Sequence, residues 1–92
     1  MPQVTKHLIV RGAVQGVGFR ISMYYAAQRF RITGWVRNRR DGTVEMMAQG
    51  PEEAVQEFIA AAHQGPQLAR VDSVEVEEGS GDFSEFSIRD TA

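Results

Sequence analysis

The 92-residue chain contains no cysteine. Disulfide bonds, thiolate zinc sites and every phosphatase mechanism that uses a cysteine nucleophile are therefore excluded. The sequence also lacks an apolar run long enough to cross a membrane, and residues 1–8 lack the apolar core of a signal peptide. We therefore expect a cytoplasmic protein with no membrane partner.

Net charge is also small, because twelve acidic residues nearly balance ten basic ones and leave a formal charge of −2. The chain as a whole does not have the charge of a nucleic-acid-binding protein. Acidic residues are absent between residues 6 and 40, where the basic ones are Lys6, Arg11, Arg20, Arg29, Arg31, Arg37, Arg39 and Arg40. An anion site is therefore expected in the first half of the chain.

Apolar residues make up 42% of the chain, which is enough for one buried core in a protein of this length. The sequence therefore predicts a single domain spanning residues 1–92.

Neither histidine has the setting of a catalytic residue. His7 is expected on an exposed strand face without an acidic neighbour in sequence, and His63 in the last turn of a helix, where a cation suits the dipole.

Hydrophobic spacing predicts the order β-α-β-β-α-β, followed by a short extra strand. The expected strands cover residues 4–11, 33–39, 43–49, 71–77 and 85–89. One helix is expected from Phe19, and a second starts at Pro51 and stops at Gly65. Two helices on one face of an antiparallel sheet form the α+β, ferredoxin-like plan, a βαββαβ sandwich.

Side-chain alternation gives each strand an inner and an outer face. Val74 and Val76 are expected to point inward. The opposite face of the sheet, partly open to water, is expected to carry His7, Arg11, Trp35, Glu45 and Met47. Trp35 is expected to pack on the sheet rather than to stack on a nucleic-acid base.

The segment 12–20 reads G-A-V-Q-G-V-G-F-R and directly follows an apolar strand. A strand, a glycine-rich turn and a helix start can aim several backbone N–H groups at one point, and Arg20 adds a forked cationic donor. The segment is neither a Walker loop, which would end in G-K-[ST], nor a G-x-G-x-x-G dinucleotide fingerprint. It is either a phosphate or carboxylate cradle or a plain glycine-rich turn with a surface arginine.

Asn38 is unusual because asparagine is disfavoured within a strand. It is either a residue near a turn that satisfies local backbone groups, or an amide that holds a water beside an anion. The site would then contain no nucleophile, metal ligand set or proton-transfer group. Such a site can bind a phosphoryl group and position water, but it cannot easily protonate an alkoxide leaving group. A phosphoryl group on a carboxylate suits it, because a departing carboxylate needs no proton near neutral pH.

The sequence resembles the acylphosphatase family in two motifs. Segment 12–20 contains the family's V-Q-G-V-G-[FY]-R loop in full. The residues G-W-V-R-N and D-G-T-V-E, within 34–45, match the family's G-[WY]-V-x-N…D-G-x-V-E. The resemblance covers about residues 6 to 88 and departs at Phe30-Arg31-Ile32, where L-G-L is more usual.

This resemblance implies hydrolysis of small acyl phosphates to a carboxylate and inorganic phosphate by a monomer, without a metal or cofactor. It implies that Asn38 orients the attacking water. Since no base is evident in the sequence, a phosphate oxygen of the substrate is the expected acceptor of the water's proton. Inorganic phosphate or sulfate would compete for the site. By the same resemblance, the phosphoryl group is bound by the Arg20 side chain and by backbone amides of Gln15, Gly16, Val17, Gly18, Phe19 and Arg20.

Two other functions stay open at this stage. Acylphosphatase-like domains also occur as anion-binding or carbamoyl-phosphate-handling modules of larger maturation proteins. An RNA-recognition fold has the same strand order, but the central strands lack paired aromatic residues for base stacking and the net charge is negative.

Overall fold

A computed structural model describes residues 2–92. Within them, the strands are β1 (Gln3–Ala13), β2 (Thr33–Asn38), β3 (Val44–Pro51), β4 (Arg70–Glu78) and β5 (Phe86–Ile88), and the helices are α1 (Phe19–Phe30) and α2 (Glu52–Gln64). The predicted order of elements is confirmed. The α+β, ferredoxin-like arrangement of two helices on a sheet with an extra C-terminal strand is confirmed with it.

The strand order in the sheet is β4-β1-β3-β2-β5, so β3 lies at the centre between β1 and β2. These three strands and β4 pair antiparallel. β5 pairs with β2 in parallel, which makes the sheet mixed rather than wholly antiparallel. Val44, at the start of β3, lies opposite Val10 on one side and Asn38 on the other. The segment that leaves β1 therefore emerges at the same end of the sheet as the end of β2.

β1 runs past Arg11 to Ala13, further than predicted, and its register with β4 shifts between Arg11 and Gly12. A Cβ on Gly12 would overlap the carbonyl oxygen of Arg70. The glycine therefore allows close pairing at this irregularity. Gly12 belongs to the strand, and the loop that precedes α1 begins after Ala13.

The core lies between the sheet and the helices. Phe19 of α1 and Phe58 of α2 are almost fully buried together with Leu8 of β1. Val76 lies opposite Leu8 in the β1–β4 ladder and so faces the helices as predicted, yet it is 41% exposed. β4 is an edge strand with β1 as its neighbour on one side only, so less of it is covered.

The end of α1 depends on Arg31. Its φ of 58° and ψ of 45° lie in the left-handed region, and it is the only non-glycine residue with a positive φ within residues 2–92. Glycine is the usual residue at this position after a helix, because it has no Cβ to clash. The F-R-I departure therefore puts an arginine where the backbone favours glycine.

Candidate active site

The loop between β1 and α1 is shaped by two glycines. Gly16 (φ 75°) and Gly18 (φ 81°) both adopt the left-handed region, and Gly18 immediately precedes α1. A side chain at Gly16 would meet nothing within 4 Å. Gly16 is therefore required for the backbone conformation of the loop rather than for space.

The start of α1 leaves its backbone donors free. The first helical hydrogen bond runs from the Ser22 N–H to the Gly18 carbonyl at 3.0 Å, and no side chain caps the helix. In the part of the chain that the structure describes, no N–H group of residues 15–21 donates a hydrogen bond to a carbonyl or a side chain. The first turn also carries no acidic residue. The positive end of the helix dipole is thus open to an anion.

Arg20 lies in this first turn and is partly buried. Within residues 2–92 it makes no ion pair, whereas Arg11, Arg37 and Arg70 each pair with a carboxylate. Its guanidinium group is therefore available to bind an anion at the N terminus of the helix.

Arg20 and Asn38 line one cleft of about 230 Å³. The other lining residues are Val14, Gly16, Gly18, Phe19, Ile21 and Ile88. Arg20 is the one charged residue among them. The fold thus brings the predicted arginine and asparagine together with three of the predicted loop residues, Gly16, Gly18 and Phe19, while Gln15 and Val17 are not among the lining residues.

The side chain of Gln15 binds the β2–β3 hairpin. Its Nε2 donates to the carbonyl oxygen of Arg39 at 2.7 Å and to that of Thr43 at 2.9 Å. These two residues close the turn, because the Arg39 N–H donates to the Thr43 carbonyl at 2.8 Å. Gln15 therefore ties the loop to the hairpin that carries Asn38. The sequence did not reveal this contact, since its partners lie 24 and 28 positions away.

Asn38 ends β2, and its carbonyl accepts a hydrogen bond from the Ala92 N–H at 3.0 Å. Its side-chain Oδ1 is enclosed and has no hydrogen-bond partner within residues 2–92. The purely structural interpretation of Asn38 requires its side chain to satisfy a local backbone group. Oδ1 does not do so. An enclosed acceptor without a partner is unfavourable, and a donor from outside the chain would satisfy it.

His7 has an acidic partner in the fold although it has none nearby in sequence. Its Nε2 lies 2.6 Å from Glu45 Oε2, and Arg37 Nε donates to Glu45 Oε1 at 2.7 Å. Burial raises the pKa of Glu45, but the hydrogen bonds from His7 and Arg37 outweigh it and hold the pKa below its usual value of 4.5. Beside this cluster, Trp35 packs on the sheet, and the guanidinium groups of Arg37 and Arg89 lie 4.8 and 4.7 Å from the centre of its ring.

Possible metal ligands are scattered. Across residues 2–92, no group of three or more histidine and acidic side chains lies close enough to hold a metal ion. The residues that line the cleft contain no carboxylate and no imidazole.

Neither helix within residues 2–92 is long and apolar enough to cross a membrane.

Comparisons with known proteins agree on one family. A sequence model of the acylphosphatase family matches residues 6–88. An acylphosphatase of Acidovorax sp. (strain JS42) is 52% identical over 89 residues, which cover 96% of this chain and 92% of the relative. The crystal structure of acylphosphatase from Bacillus subtilis matches with a TM-score of 0.89 at 40% identity, over 94% of this chain and 98% of that one. A segment of full-length HypF matches with a TM-score of 0.90 at 26% identity, over 98% of this chain and 12% of that chain.

The chain therefore belongs to the acylphosphatase family. It is a hydrolase that cleaves the carboxyl–phosphate bond of small acyl phosphates to give a carboxylate and inorganic phosphate. The family predicted from the two sequence motifs is confirmed over the same residues. The match to HypF shows that a similar structure also occurs as a small part of a longer chain.

Proposed function

We propose that the phosphoryl group of the substrate is bound by the Arg20 side chain and by the backbone N–H groups of residues 15–20. The observation that carries this proposal is the composition of the cleft. Arg20 is the one charged lining residue, and it lies beside backbone donors that have no partner within residues 2–92. A phosphoryl group brings both negative charge and acceptor oxygens, so it satisfies the arginine and the donors together.

Asn38 orients the attacking water in this proposal. Asn38 lines the same cleft as Arg20, and its Oδ1 has no partner in the described part of the chain. The last side-chain torsion of asparagine is broad, so the amide can turn Oδ1 toward the cleft to accept a hydrogen bond from water. The amide contributes orientation of the nucleophile and no proton transfer.

The reaction then needs no acid from the protein. The water oxygen forms a bond to phosphorus while the bond between phosphorus and the acyl oxygen breaks, and the carboxylate leaves with that electron pair. The carboxylate is stable without a proton near neutral pH. Since no carboxylate or imidazole lines the cleft, the proton of the water passes to a phosphate oxygen. Arg20 and the loop N–H groups stabilise the charge on the phosphoryl oxygens.

None of the steps of the proposed mechanism calls for an organic cofactor. The mechanism also uses no metal ion, because the lining residues offer none of the side chains that usually hold a divalent metal. Turnover that persists in a chelator would support this, and turnover restored by a divalent ion would contradict it. Inorganic phosphate and sulfate are expected to compete with the substrate for the site, since they carry tetrahedrally arranged oxygens like those of the phosphoryl group.

Three further predictions rest on the sequence alone. They are a monomeric state, a cytoplasmic location and a single domain over residues 1–92.

Substitution of Arg20 tests the phosphate site. Arg20→Ala should abolish measurable hydrolysis of benzoyl phosphate and weaken the binding of inorganic phosphate, which calorimetry measures when turnover is too slow to follow inhibition. A charge-assisted hydrogen bond is worth about 1.5–3 kcal/mol, which corresponds to roughly 10- to 100-fold in the inhibition constant. Arg20→Lys should restore little, because an ammonium group lacks the guanidinium fork. Arg29→Ala is the matched control, since Arg29 is exposed on the same helix and does not line the cleft. Near-normal turnover and phosphate inhibition in Arg20→Ala would contradict the proposal.

A further inference from the structure

Two large apolar side chains are exposed beside the proposed phosphate site. Ile21 is 45% exposed and Ile88 is 41% exposed, and both line the cleft with Arg20. Ile21 follows Arg20 in the first turn of α1, whereas Ile88 ends β5 and lies opposite Val36 of β2. Single exposed apolar residues are common on protein surfaces. These two come from different elements and meet at one cleft, where they form an apolar wall next to a charged anchor.

The charge of the cleft restricts what this wall can bind. Arg20 is the one charged lining residue, and the proposed function assigns it to the phosphoryl group. Among the lining residues no second cation is left for a carboxylate or a second phosphate on the acyl group. A charged acyl group would lose favourable hydration against the isoleucines without gaining an oppositely charged partner. An apolar acyl group has no such hydration to lose, and its removal from water is favourable.

We propose, on the basis of the proposed function, that Ile21 and Ile88 form the acyl-group subsite and that the enzyme prefers substrates whose acyl group is apolar and uncharged. With the phosphoryl group anchored at Arg20, the acyl group lies across the two isoleucines and removes their exposed surfaces from water. This contact is made equally in the bound substrate and in the transition state, so it lowers KM and leaves kcat unchanged.

The test uses Ile21→Gln, Ile88→Thr and the double variant. Both positions are exposed, so the core is left intact. Glutamine is compatible with a helix and threonine with a strand, so α1 and β5 are both preserved. Leu68→Gln is the matched control, because Leu68 is 78% exposed and does not line the cleft. Each protein is assayed with benzoyl, acetyl and succinyl phosphate, and inhibition by inorganic phosphate is measured in parallel.

In the parent protein, kcat/KM should be highest for benzoyl phosphate and lowest for succinyl phosphate, whose acyl group carries a negatively charged carboxylate. The double variant should lose about fivefold or more in kcat/KM for benzoyl phosphate because its KM rises. This factor corresponds to the loss of roughly 40 Å² of apolar contact with the acyl group. Its kinetics with acetyl phosphate and its inhibition by inorganic phosphate should stay within about twofold of the parent values. Comparing each variant with the parent on the same substrate cancels the different reactivities of the acyl phosphates.

An unchanged KM for benzoyl phosphate in the double variant would overturn the subsite, and so would an equal loss for benzoyl and acetyl phosphate. Failure of the underlying phosphate site has a different signature. In that case Arg20→Ala would keep its inhibition by inorganic phosphate, whatever the isoleucine variants show. If the double variant unfolds at the same temperature as the parent protein, a change in its KM does not come from partial unfolding.

Discussion

The side-chain amide of Gln15 donates a hydrogen bond of 2.7 Å to the backbone carbonyl of Arg39, the residue that follows Asn38. A second bond of 2.9 Å reaches the carbonyl of Thr43 on the other side of the turn. Thr43 is itself held by Asp41, whose Oδ1 accepts bonds from the Thr43 N–H at 3.0 Å and from its hydroxyl at 2.6 Å. The loop before α1 and the end of β2 are therefore linked through side chains as well as through the sheet.

We predict that Gln15→Ala lowers kcat about tenfold or more, because small misplacements of positioned groups reduce rates by up to about 100-fold. Gln15→Glu should behave similarly, since a carboxylate has no donor for the two carbonyls and repels them. Loss of folding stability should be about 1 kcal/mol, the usual net value of a hydrogen bond. Steady-state kinetics with benzoyl phosphate and urea unfolding measure both effects.

Gln67→Ala is the control for this prediction, because Gln67 is exposed in the segment before β4 and makes no side-chain hydrogen bond within residues 2–92. A normal kcat in both Gln15 variants would show that the link to the hairpin has no role in catalysis.

Arg31 gives a second prediction. Its left-handed backbone is unfavourable for a residue with a Cβ, by about 1–2 kcal/mol relative to glycine. Arg31→Gly should therefore raise the free energy of unfolding by roughly 1 kcal/mol, after the larger chain entropy of glycine in the unfolded state is subtracted. Arg29→Gly is the contrasting control, because Arg29 lies within α1 and glycine there should reduce stability by about 1 kcal/mol. Equal losses in both variants, measured by urea unfolding, would refute this explanation of how α1 ends.

Glu45 gives a prediction for the dependence of stability on pH. Burial raises its pKa, but the hydrogen bonds from His7 and Arg37 lower it by more, so the folded-state pKa lies below the ordinary value of 4.5. A lowered folded-state pKa contributes stability that is present above the unfolded-state pKa and is lost as pH falls through the folded-state value. Glu45→Gln should therefore be less stable than the parent near neutral pH, and the difference should shrink below about pH 4.5.

Urea unfolding at neutral and acid pH measures this difference. Glu57→Gln serves as the control, since Glu57 is exposed on α2 and makes no hydrogen bond or ion pair within residues 2–92. A Glu45→Gln variant whose stability runs parallel to that of the parent at every pH would refute the role of the cluster.

Local patterns predicted most of the fold, and the failures lie where long-range pairing decides. Alternation identified the face that His7 and Glu45 share, but no pattern in sequence gives the strand register that brings their side chains within 2.6 Å. Alternation also predicts the correct face for Val76, yet the exposure of Val76 depends on β4 being an edge strand. The parallel pairing of β5 likewise depends on the path of the chain after β4, which has no periodic signal.

The candidate site was partly predictable for a related reason. Arg20 and Asn38 were identified from their motifs, and the structure brings them to one cleft. The exposure of Ile21 and Ile88 at that cleft was not predicted, because helical and strand spacing do not show which apolar residues remain uncovered. The bonds from Gln15 to two backbone carbonyls also leave no trace in sequence, since a carbonyl acceptor can belong to any residue type.

The central claim is that Arg20 binds the phosphoryl group while Asn38 acts on the water, so binding and catalysis should separate between the two residues. Removing a group that positions the nucleophile typically lowers the rate by about 10²–10³. Asn38→Ala should therefore lose about that factor in kcat, and its folding stability should not fall, because Oδ1 has no partner within residues 2–92 to lose. Circular dichroism and thermal unfolding check that the fold is intact.

The most direct measurement is the inhibition constant for inorganic phosphate in Arg20→Ala and Asn38→Ala, determined together with kcat for benzoyl phosphate. Where turnover of Arg20→Ala is too slow to assay inhibition, calorimetry gives the dissociation constant for phosphate instead. We expect Asn38→Ala to change phosphate affinity by less than about tenfold while kcat collapses, and Arg20→Ala to lose phosphate affinity. Weakened phosphate binding with a normal kcat in Asn38→Ala would contradict the account and make Asn38 a phosphate ligand.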